Sequence, residues 1–213
     1  MNILLIGAPG SGKGTEAEIL CAKNGLTHLS TGDLFRQNID NKTPLGVEAQ
    51  GYMTKGLYVP DDVTNRMVAD YLKHKNTNLI FDGYPRTLDQ AITLDKMLED
   101  VNQKLDHVIH FDIDNNIIKS RLMSRLICPL CKRSYNKVSK KPQVEWVCDF
   151  DASELITRPD DAEDKIDVRL EVYNNQTAPL IEFYKKQNKL ITLDATNVLP
   201  HEFHDSLVAA LGL

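Results

Sequence analysis

The glycine-rich segment from Gly7 to Thr15 is the first stretch of the chain whose residue types and spacing could do chemistry. Gly7, Gly12 and Lys13 have the spacing of a phosphate-binding loop, and the segment lies between an apolar run and a helix-forming run. Glycine suits such a loop because backbone N–H groups must approach phosphate oxygens closely, and the helix that follows adds the positive end of its dipole. The alternative is a glycine-rich turn that binds nothing.

Gly14 departs from the general pattern of these loops, which places Ser or Thr directly after the lysine. The hydroxyl group of that Ser or Thr usually holds magnesium. In this chain the first hydroxyl after the lysine belongs to Thr15, one position later. We therefore expect Mg²⁺ to depend on the phosphates, on water and on a carboxylate from elsewhere in the chain.

Three of the four cysteines lie in a second segment with chemical potential. Cys128 and Cys131 form a Cys-x2-Cys pair, and Cys148 and Asp151 form a matching pair after a spacer of sixteen residues. Zinc binds about four ligands tetrahedrally and favours thiolates, with a carboxylate as an acceptable fourth ligand. The pattern predicts a structural zinc site that staples a small hairpin domain without a core of its own. The alternative is a metal-free knot whose cysteines are inert or disulfide-linked.

Five short apolar runs predict the strands that would position both segments. They cover residues 2–6, 27–30, 78–81, 107–111 and 190–193. Helical patterns lie between them, and this alternation predicts right-handed crossovers and a mostly parallel sheet. The predicted fold is α/β: a three-layer P-loop fold with a central parallel sheet of about five strands, helices on both faces and two small inserted domains.

Several helix boundaries can also be predicted. Asp61 and Asp114 are expected to cap helices, and Thr87 begins a capping box that Gln90 would complete. A long helix is predicted over residues 162–186, with a bend at Pro179 because proline removes a backbone donor.

Two segments interrupt the alternation and are predicted to be insertions, residues 30–59 and residues 124–161. The remaining ranges, 1–29, 60–123 and 162–213, are predicted to form one core domain, as suits a length of 213 residues.

Composition excludes several function classes. A net charge of −5, from 25 basic and 30 acidic residues, argues against non-specific nucleic-acid binding, which requires neutralisation of phosphates. No apolar run approaches the roughly 20 residues needed to span a bilayer, so no membrane partner is expected. The first apolar run has no basic segment before it, unlike a signal peptide, and four cysteines are too few for a secreted disulfide scaffold. A cytoplasmic location is therefore expected.

The chain resembles the adenylate kinases over essentially its full length, and within them the zinc-bearing, long-lid branch. The resemblance rests on Gly-Lys-Gly-Thr at 12–15, Ser-Thr-Gly-Asp at 30–33, Asp-Gly-Tyr-Pro-Arg-Thr at 82–87 and Thr-Ala-Pro-Leu-Ile at 177–181, in this order and spacing. It implies Mg²⁺-dependent phosphoryl transfer from ATP to AMP giving two ADP, by a monomer. It also implies that residues 30–59 bind AMP, that residues 124–161 form a lid over ATP, and that the branch's metal ligands are the cysteine pairs with aspartate in the fourth place.

The resemblance assigns roles residue by residue. The catalytic group would be Lys13, Arg86, Arg121, Arg125, Arg158, Arg169 and Asp82, the last of which would orient magnesium-bound water. ATP would contact Gly10, Ser11, Gly12, Lys13, Gly14, Thr15, Arg125, Ser134, Tyr135 and Asn197. AMP would contact Thr31, Arg36, Leu57, Tyr58, Val59, Gly83, Tyr84, Pro85, Arg86, Gln90, Arg158 and Arg169. Arginine suits this task because its planar, permanently charged fork matches phosphate oxygens.

Alternatives remain open at several of these positions. Gln90 could serve only the capping box, and Thr31 could be a turn or helix-cap residue, although a threonine there favours adenine in this family. Another nucleoside monophosphate kinase, with UMP, CMP or GMP as acceptor, is the main functional alternative. A zinc-ribbon nucleic-acid module with a nucleotide-gated switch, and a hydrolase in which water replaces AMP, are two others. The six histidines are dispersed, and no role is assigned to them.

Overall fold

The computed structural model describes residues 1–196 and 198–213. Its strands are β1 (Ile3–Gly7), β2 (Thr27–Ser30), β3 (Leu79–Asp82), β4 (His107–Asp112), β5 (Arg125–Ile127), β6 (Ser134–Asn136) and β7 (Leu190–Asp194). Its α-helices are α1 (Lys13–Asn24), α2 (Thr31–Asp40), α3 (Pro44–Met53), α4 (Asp61–His74), α5 (Leu88–Asp100), α6 (Asn115–Met123), α7 (Glu163–Val172), α8 (Pro179–Lys186) and α9 (Pro200–Leu211). A 3₁₀ turn covers Pro159–Asp161, and a π-helical turn covers Tyr173–Thr177. Within these residues, no helix is both long and apolar enough to span a bilayer.

The central sheet has five parallel strands in the order β2-β3-β1-β4-β7. All five residues of β1, in the middle, are buried, as in a parallel sheet covered on both faces. The predicted three-layer fold with a five-stranded parallel sheet is therefore confirmed. The strands match the predicted apolar runs to within one residue at either end, because a buried strand needs a continuous apolar run.

The hydrophobic core lies on both faces of this sheet. On one face, a cluster that includes Leu4, Phe81 and Tyr184 packs the strands against α5 and α8. On the other face, Leu20 of α1 and Leu207 of α9 pack against the sheet. Each fully buried side chain of this kind contributes about 1.5–3 kcal/mol. The sheet is thus a rigid base for the loops at its carboxyl edge, where ligands of open α/β sheets bind.

Two of the predicted helix caps are present. The side chain of Asp114 accepts a hydrogen bond from the backbone N–H of Asn116 at 2.7 Å, and Thr87 accepts one from Gln90 at 3.2 Å. The second half of the capping box is different, because Gln90 Oε1 accepts from the backbone N–H of Arg86 at 2.7 Å and not from that of Thr87.

The prediction that Asp61 caps α4 is wrong. Pro60 occupies the N-cap position, and no side chain caps this helix. The Asp61 carboxylate instead accepts hydrogen bonds from the hydroxyl of Thr87 at 2.6 Å and from the amide of Gln90 at 2.7 Å. It therefore ties the start of α4 to the start of α5.

The long helix predicted over residues 162–186 is interrupted just before Pro179. The π-helical turn Tyr173–Thr177 separates α7 from α8, and the N–H of Ala178 bonds to the carbonyl of Tyr173, five residues earlier. Pro179 then stands in the first turn of α8, where its missing donor leaves no bond unmade. The widened turn lies before Pro179 and was not predicted, and the bend at Pro179 stays a prediction.

The two predicted insertions differ in build. Residues 30–59, hereafter the flap, contain α2 and α3, which pack so closely that a Cβ at Gly46 would overlap the backbone of Asn38. Residues 124–161, hereafter the lid, contain the two-stranded antiparallel pair β5–β6 and the 3₁₀ turn.

Candidate active site

The phosphate-binding loop joins β1 to α1 at the carboxyl edge of the sheet. Gly10 and Gly12 have φ angles of 81° and 107°, in the left-handed region that favours glycine. A Cβ at Gly10 would also meet the side chain of Leu122 at 2.8 Å. Conformation and packing therefore both require glycine in this loop.

Lys13, at the start of α1, is folded back over the loop. Its Nζ donates to the carbonyls of Gly7 and Ala8 at 2.8 and 2.9 Å. Burial lowers the pKa of Lys13 to about 8, although Asp82 opposes that shift. The ammonium group is thus poorly solvated and satisfied only by neutral oxygens, which phosphate oxygens could replace.

Asp82 ends β3 directly beside Gly14. A Cβ at Gly14 would lie 3.7 Å from Asp82 Oδ2, so the carboxylate faces the position where related loops carry a hydroxyl group. Burial alone would raise the pKa of Asp82, but the hydrogen bond from His28 and the charge of Lys13 outweigh it and lower the pKa to about 2. An ionised carboxylate beside the loop suits a magnesium-bound water, and the donor set therefore fits Mg²⁺ carried by ATP.

His28 is a site residue that sequence analysis missed. Its Nε2 lies 3.2 Å from Asp82 Oδ2, and although burial lowers the pKa of His28, the bond to Asp82 outweighs burial and raises it. His28 stands on β2, two residues before Ser30, which pairs with Asp82 of β3. The signal would have been the adjacency of β2 and β3, which a single sequence does not display.

The six predicted arginines come together around one cavity of about 630 Å³. They line it from the core, the flap and the lid, and they are Arg36, Arg86, Arg121, Arg125, Arg158 and Arg169. Within residues 1–196 and 198–213, four cationic groups at this cavity form no ion pair with a carboxylate, namely Lys13, Arg86, Arg121 and Arg158. The cavity therefore has an excess of positive charge that an anionic ligand would neutralise.

Arg158 shows this excess most clearly. Its Nε is buried without a hydrogen-bond partner in the described part of the chain. Burial, followed by the charges of Arg125 and Arg36, lowers the pKa of Arg158 to about 9. The guanidinium is still charged at neutral pH, and the charges of Asp160 and Asp161 offset the effects of burial and of the other arginines only in part.

Asp160 and Asp161 are two further residues that sequence analysis missed. Arg125 makes a two-pronged pair with Asp161 at 2.7 and 2.5 Å, and Arg169 Nη1 lies 2.7 Å from the same carboxylate and 3.1 Å from that of Asp160. The side chain of Asp161 is only 3% exposed. The two aspartates orient Arg125 and Arg169 towards the cavity, and their position after Arg158-Pro159 in the lid was the available signal.

Arg86 is held by the loop that follows β3. Its Nε donates to the carbonyl of Gly83 at 2.6 Å, and its guanidinium lies 4.6 Å from the ring centre of Tyr58 in the flap. Thr177 of the π-helical turn donates to the carbonyl of Arg86 at 2.9 Å and accepts from the Tyr58 hydroxyl at 2.9 Å. These contacts connect the flap, the core and the turn before α8 at one point.

Most of the predicted nucleotide contacts line the cavity. On the ATP side they are Gly10, Ser11, Gly12, Lys13, Gly14, Thr15, Arg125, Ser134 and Tyr135. On the AMP side they are Arg36, Leu57, Tyr58, Gly83, Pro85, Arg86, Arg158 and Arg169. Asn197 lies outside the described residues.

Four predicted AMP contacts do not line it. Thr31 donates to the carbonyl of Gly83, and Val59 packs in the small core of the flap. Tyr84 is fully buried, and its hydroxyl donates a hydrogen bond to Asn65. The amide oxygen of Gln90 accepts from the backbone of Arg86, and its amide nitrogen donates to Asp61. The role of these four residues in AMP binding stays a prediction.

The four predicted metal ligands converge in the lid. The ligand atoms of Cys128, Cys131, Cys148 and Asp151 all lie within 4.8 Å of one another. The Sγ atoms of Cys131 and Cys148 are 3.6 Å apart, whereas two thiolates on a tetrahedral zinc are separated by about 3.8 Å. All three cysteines are free thiols, so the disulfide alternative is wrong. The donor set fits a structural zinc ion.

A parallel sheet, a phosphate loop after its central strand and an arginine-lined cavity between two insertions define a P-loop kinase of nucleotide phosphates. A model of the adenylate kinase family matches residues 5–189, and the chain belongs to this family.

Curated relatives of similar length agree with this assignment. The adenylate kinase of Mesoplasma florum is 48% identical over 212 residues, covering 99% of this chain and all of the relative. That of Mycoplasma capricolum subsp. capricolum is 46% identical over 213 residues and covers both chains completely. That of Clostridium novyi is 42% identical over 205 residues, or 95% of each chain. The prediction of an adenylate kinase is thus confirmed, and the alternative acceptors find no support.

Proposed function

We propose that the cavity binds ATP and AMP end to end and transfers the γ-phosphoryl group reversibly, giving two ADP. An oxygen of the AMP phosphate attacks the γ-phosphorus, and the bond from that phosphorus to the bridging oxygen of ATP breaks. The observation that carries the proposal is the convergence of six arginines and Lys13 on one cavity, where four of these cations form no ion pair with any described carboxylate. Phosphoryl transfer needs mainly positioning and charge stabilisation, and this arrangement supplies both.

The ATP half of the proposed site is the phosphate loop with the lid. Backbone N–H groups of residues 10–15 cradle the phosphates, and Lys13 exchanges its two carbonyl partners for phosphate oxygens. Arg125 reaches the same phosphates while Asp161 holds its fork in place. Mg²⁺, when bound with ATP, supplies further positive charge to the phosphate oxygens, and Asp82 would hold its water shell.

The AMP half is the flap with the loop after β3. Arg36, Arg86, Arg158 and Arg169 hold the AMP phosphate and the transferring group. Arg86 is pre-oriented by Gly83 and Tyr58, so it loses little freedom on binding. Closure of the flap and the lid excludes water that would otherwise hydrolyse ATP.

The proposal extends to the division into domains, the metal and the cellular setting. Residues 1–29, 60–123 and 162–213 act as the core, the flap as the AMP-binding domain, and the lid as a zinc-stapled cover. The ion is Zn²⁺ with a structural role, because all four donors come from the protein and no histidine is near them. The enzyme acts as a cytoplasmic monomer in adenine nucleotide homeostasis, since one chain provides every site residue.

The test is ADP formation from ATP and AMP, with each nucleotide omitted in turn. We expect ADP only when both are present with Mg²⁺. Loss of ATP without AMP would indicate the hydrolase alternative and overturn the proposal. Substitution of UMP, CMP or GMP for AMP should reduce the rate strongly, and equal rates with these acceptors would contradict an adenine-specific site.

A further inference from the structure

Two lysines of the lid form ion pairs with carboxylates of other segments, one in the flap and one in the core. Lys132 Nζ lies 3.0 Å from Oδ2 of Asp40, the last residue of α2 in the flap. Lys140 Nζ lies 3.9 Å from Oε2 of Glu18 on α1 in the core. Both lysines line the main cavity, and neither belongs to the predicted nucleotide contacts. One lid surface therefore reaches both bodies between which it must close.

The backbone at Lys132 points to a purpose for this side chain. Its φ is 63°, in the left-handed region that favours glycine, and its N–H closes a tight turn on the carbonyl of Cys128 at 3.1 Å. A lysine in this conformation bears backbone strain that glycine would avoid, and strained positions of this kind concentrate at functional sites. Its side chain is about half exposed, so core packing does not explain the residue type.

We propose that Lys132 and Lys140 form an electrostatic latch that favours the closed arrangement of the lid over the flap and the core. They act as positioning residues through their carboxylate partners on the flap and the core. The proposal rests on the proposed function only in that turnover requires closure. Because a nucleotide binds tightly only to the closed form, the apparent affinity scales with the closed fraction.

The size of the effect follows from the exposure of the pairs. All four side chains are between 43% and 59% exposed, so salt screens them effectively. Ion pairs of this kind shift an equilibrium by about 1.4- to 5-fold each. We therefore expect a latch that tunes affinity by severalfold and acts most strongly at low ionic strength.

The experiment compares Asp40→Lys, Lys132→Asp and the double exchange with the unaltered chain, each with its metal content verified. At about 20 mM salt, each single reversal should raise KM for both nucleotides roughly two- to fivefold, with kcat unchanged or higher. The double exchange should restore KM. At 0.5 M salt all four proteins should converge. The matched control is Asp70→Lys on α4, which breaks an exposed pair with Lys73 outside the cavity lining and should leave KM unchanged.

Calorimetric titration with AMP in the presence of a non-hydrolysable ATP analogue gives a readout that does not depend on turnover. It should show the same severalfold loss and recovery, so failure of the latch is distinguishable from failure of the proposed reaction. Asp40→Asn keeps the test valid if reversal at Lys132 disturbs the neighbouring cysteines. The proposal is overturned if the Asp40 variants change affinity no more than Asp70→Lys, if the double exchange fails to recover, or if 0.5 M salt leaves the differences intact.

Discussion

The flap and the lid line the same cavity but are stabilised in different ways. The flap consists of two helices whose own core, including Phe35, Ala49 and Val59, continues into α4. The lid has two strands of three residues, and its core includes Cys128 and Cys148. Apolar side chains that would otherwise enlarge that core are exposed instead, among them Leu130, Val138 and Phe150. A segment with so little regular structure and so small a core suits a fold in which metal–ligand bonds would add to apolar packing.

The largest effect, on the rate of turnover, is expected from the cationic side chains that line the cavity between the flap and the lid. Lys13→Ala or Arg86→Ala should slow turnover by about 10²–10³-fold, since each removes a cation from the developing negative charge. The measurement is kcat for ADP formation, with circular dichroism to verify the fold. Arg66→Ala, at an exposed pair on α4, is the matched control and should retain full activity. A near-normal rate in either cavity variant would contradict the assigned roles.

The flap should depend on apolar packing alone. Phe35 is 5% exposed, so Phe35→Ala should lower the free energy of unfolding by about 3–5 kcal/mol, through lost burial and the cavity left behind. Urea denaturation measures this loss. A chelator should lower the free energy of unfolding by the same amount in Phe35→Ala as in the unaltered chain. A larger additional loss would indicate that the two segments share one source of stability.

The lid should depend on its metal. Complete chelation is expected to lower Tm by at least about 5 °C, or roughly 2 kcal/mol, because the ligand bonds that supplement the small core of the lid are lost. Cys128→Ser should abolish the response to the chelator, whereas Cys21→Ser, outside the cluster, should preserve it. An unchanged Tm after verified metal loss would end the idea of a stapled lid.

The smallest effect is on the pH dependence of stability, and it comes from the pair of His28 and Asp82 on the core sheet, outside both segments. The raised pKa of His28 means that its contribution to stability is present below about pH 6.5 and is lost as pH rises through the raised value. Asp82, with its pKa lowered to about 2, contributes above about pH 4 and loses that contribution as pH falls towards 2. The pair should therefore stabilise the fold most between about pH 4 and 6.5, by no more than about 2 kcal/mol.

Urea denaturation of the unaltered chain and of His28→Gln, at pH 5.5 and pH 8, checks this window. The stability difference between the two proteins should be smaller at pH 8. His201→Gln, at an exposed position on α9, should show no such difference at either pH. An equal gap at both pH values for His28→Gln would mean that the pair carries no charge-dependent stability.

How much of the molecule could be predicted depended on the range of the interactions involved. Strands and the phosphate loop are local patterns, since an apolar run ended by glycine and followed by a helix is readable in one window of sequence. The roles of Asp61 and His28 depend on neighbours 26 to 54 residues away, which the packing of α4 against α5 and the pairing of β2 with β3 bring together. Asp160 and Asp161 were overlooked because a carboxylate in a polar segment looks like ordinary surface until its arginine partners are placed.

The π-helical turn at Tyr173–Thr177 has a consequence for the rod formed by α7 and α8. A widened turn holds one residue more than an α-helical turn, and each residue advances the helix by about 100°. In an ordinary α-helical turn that extra residue would rotate Leu180 and Tyr184 out of the interior, whereas the widened turn absorbs it. The widening thus preserves the rotational phase of α8 relative to α7. It allows Arg169 on the first half of the rod to face the nucleotides while the second half seals the hydrophobic interior.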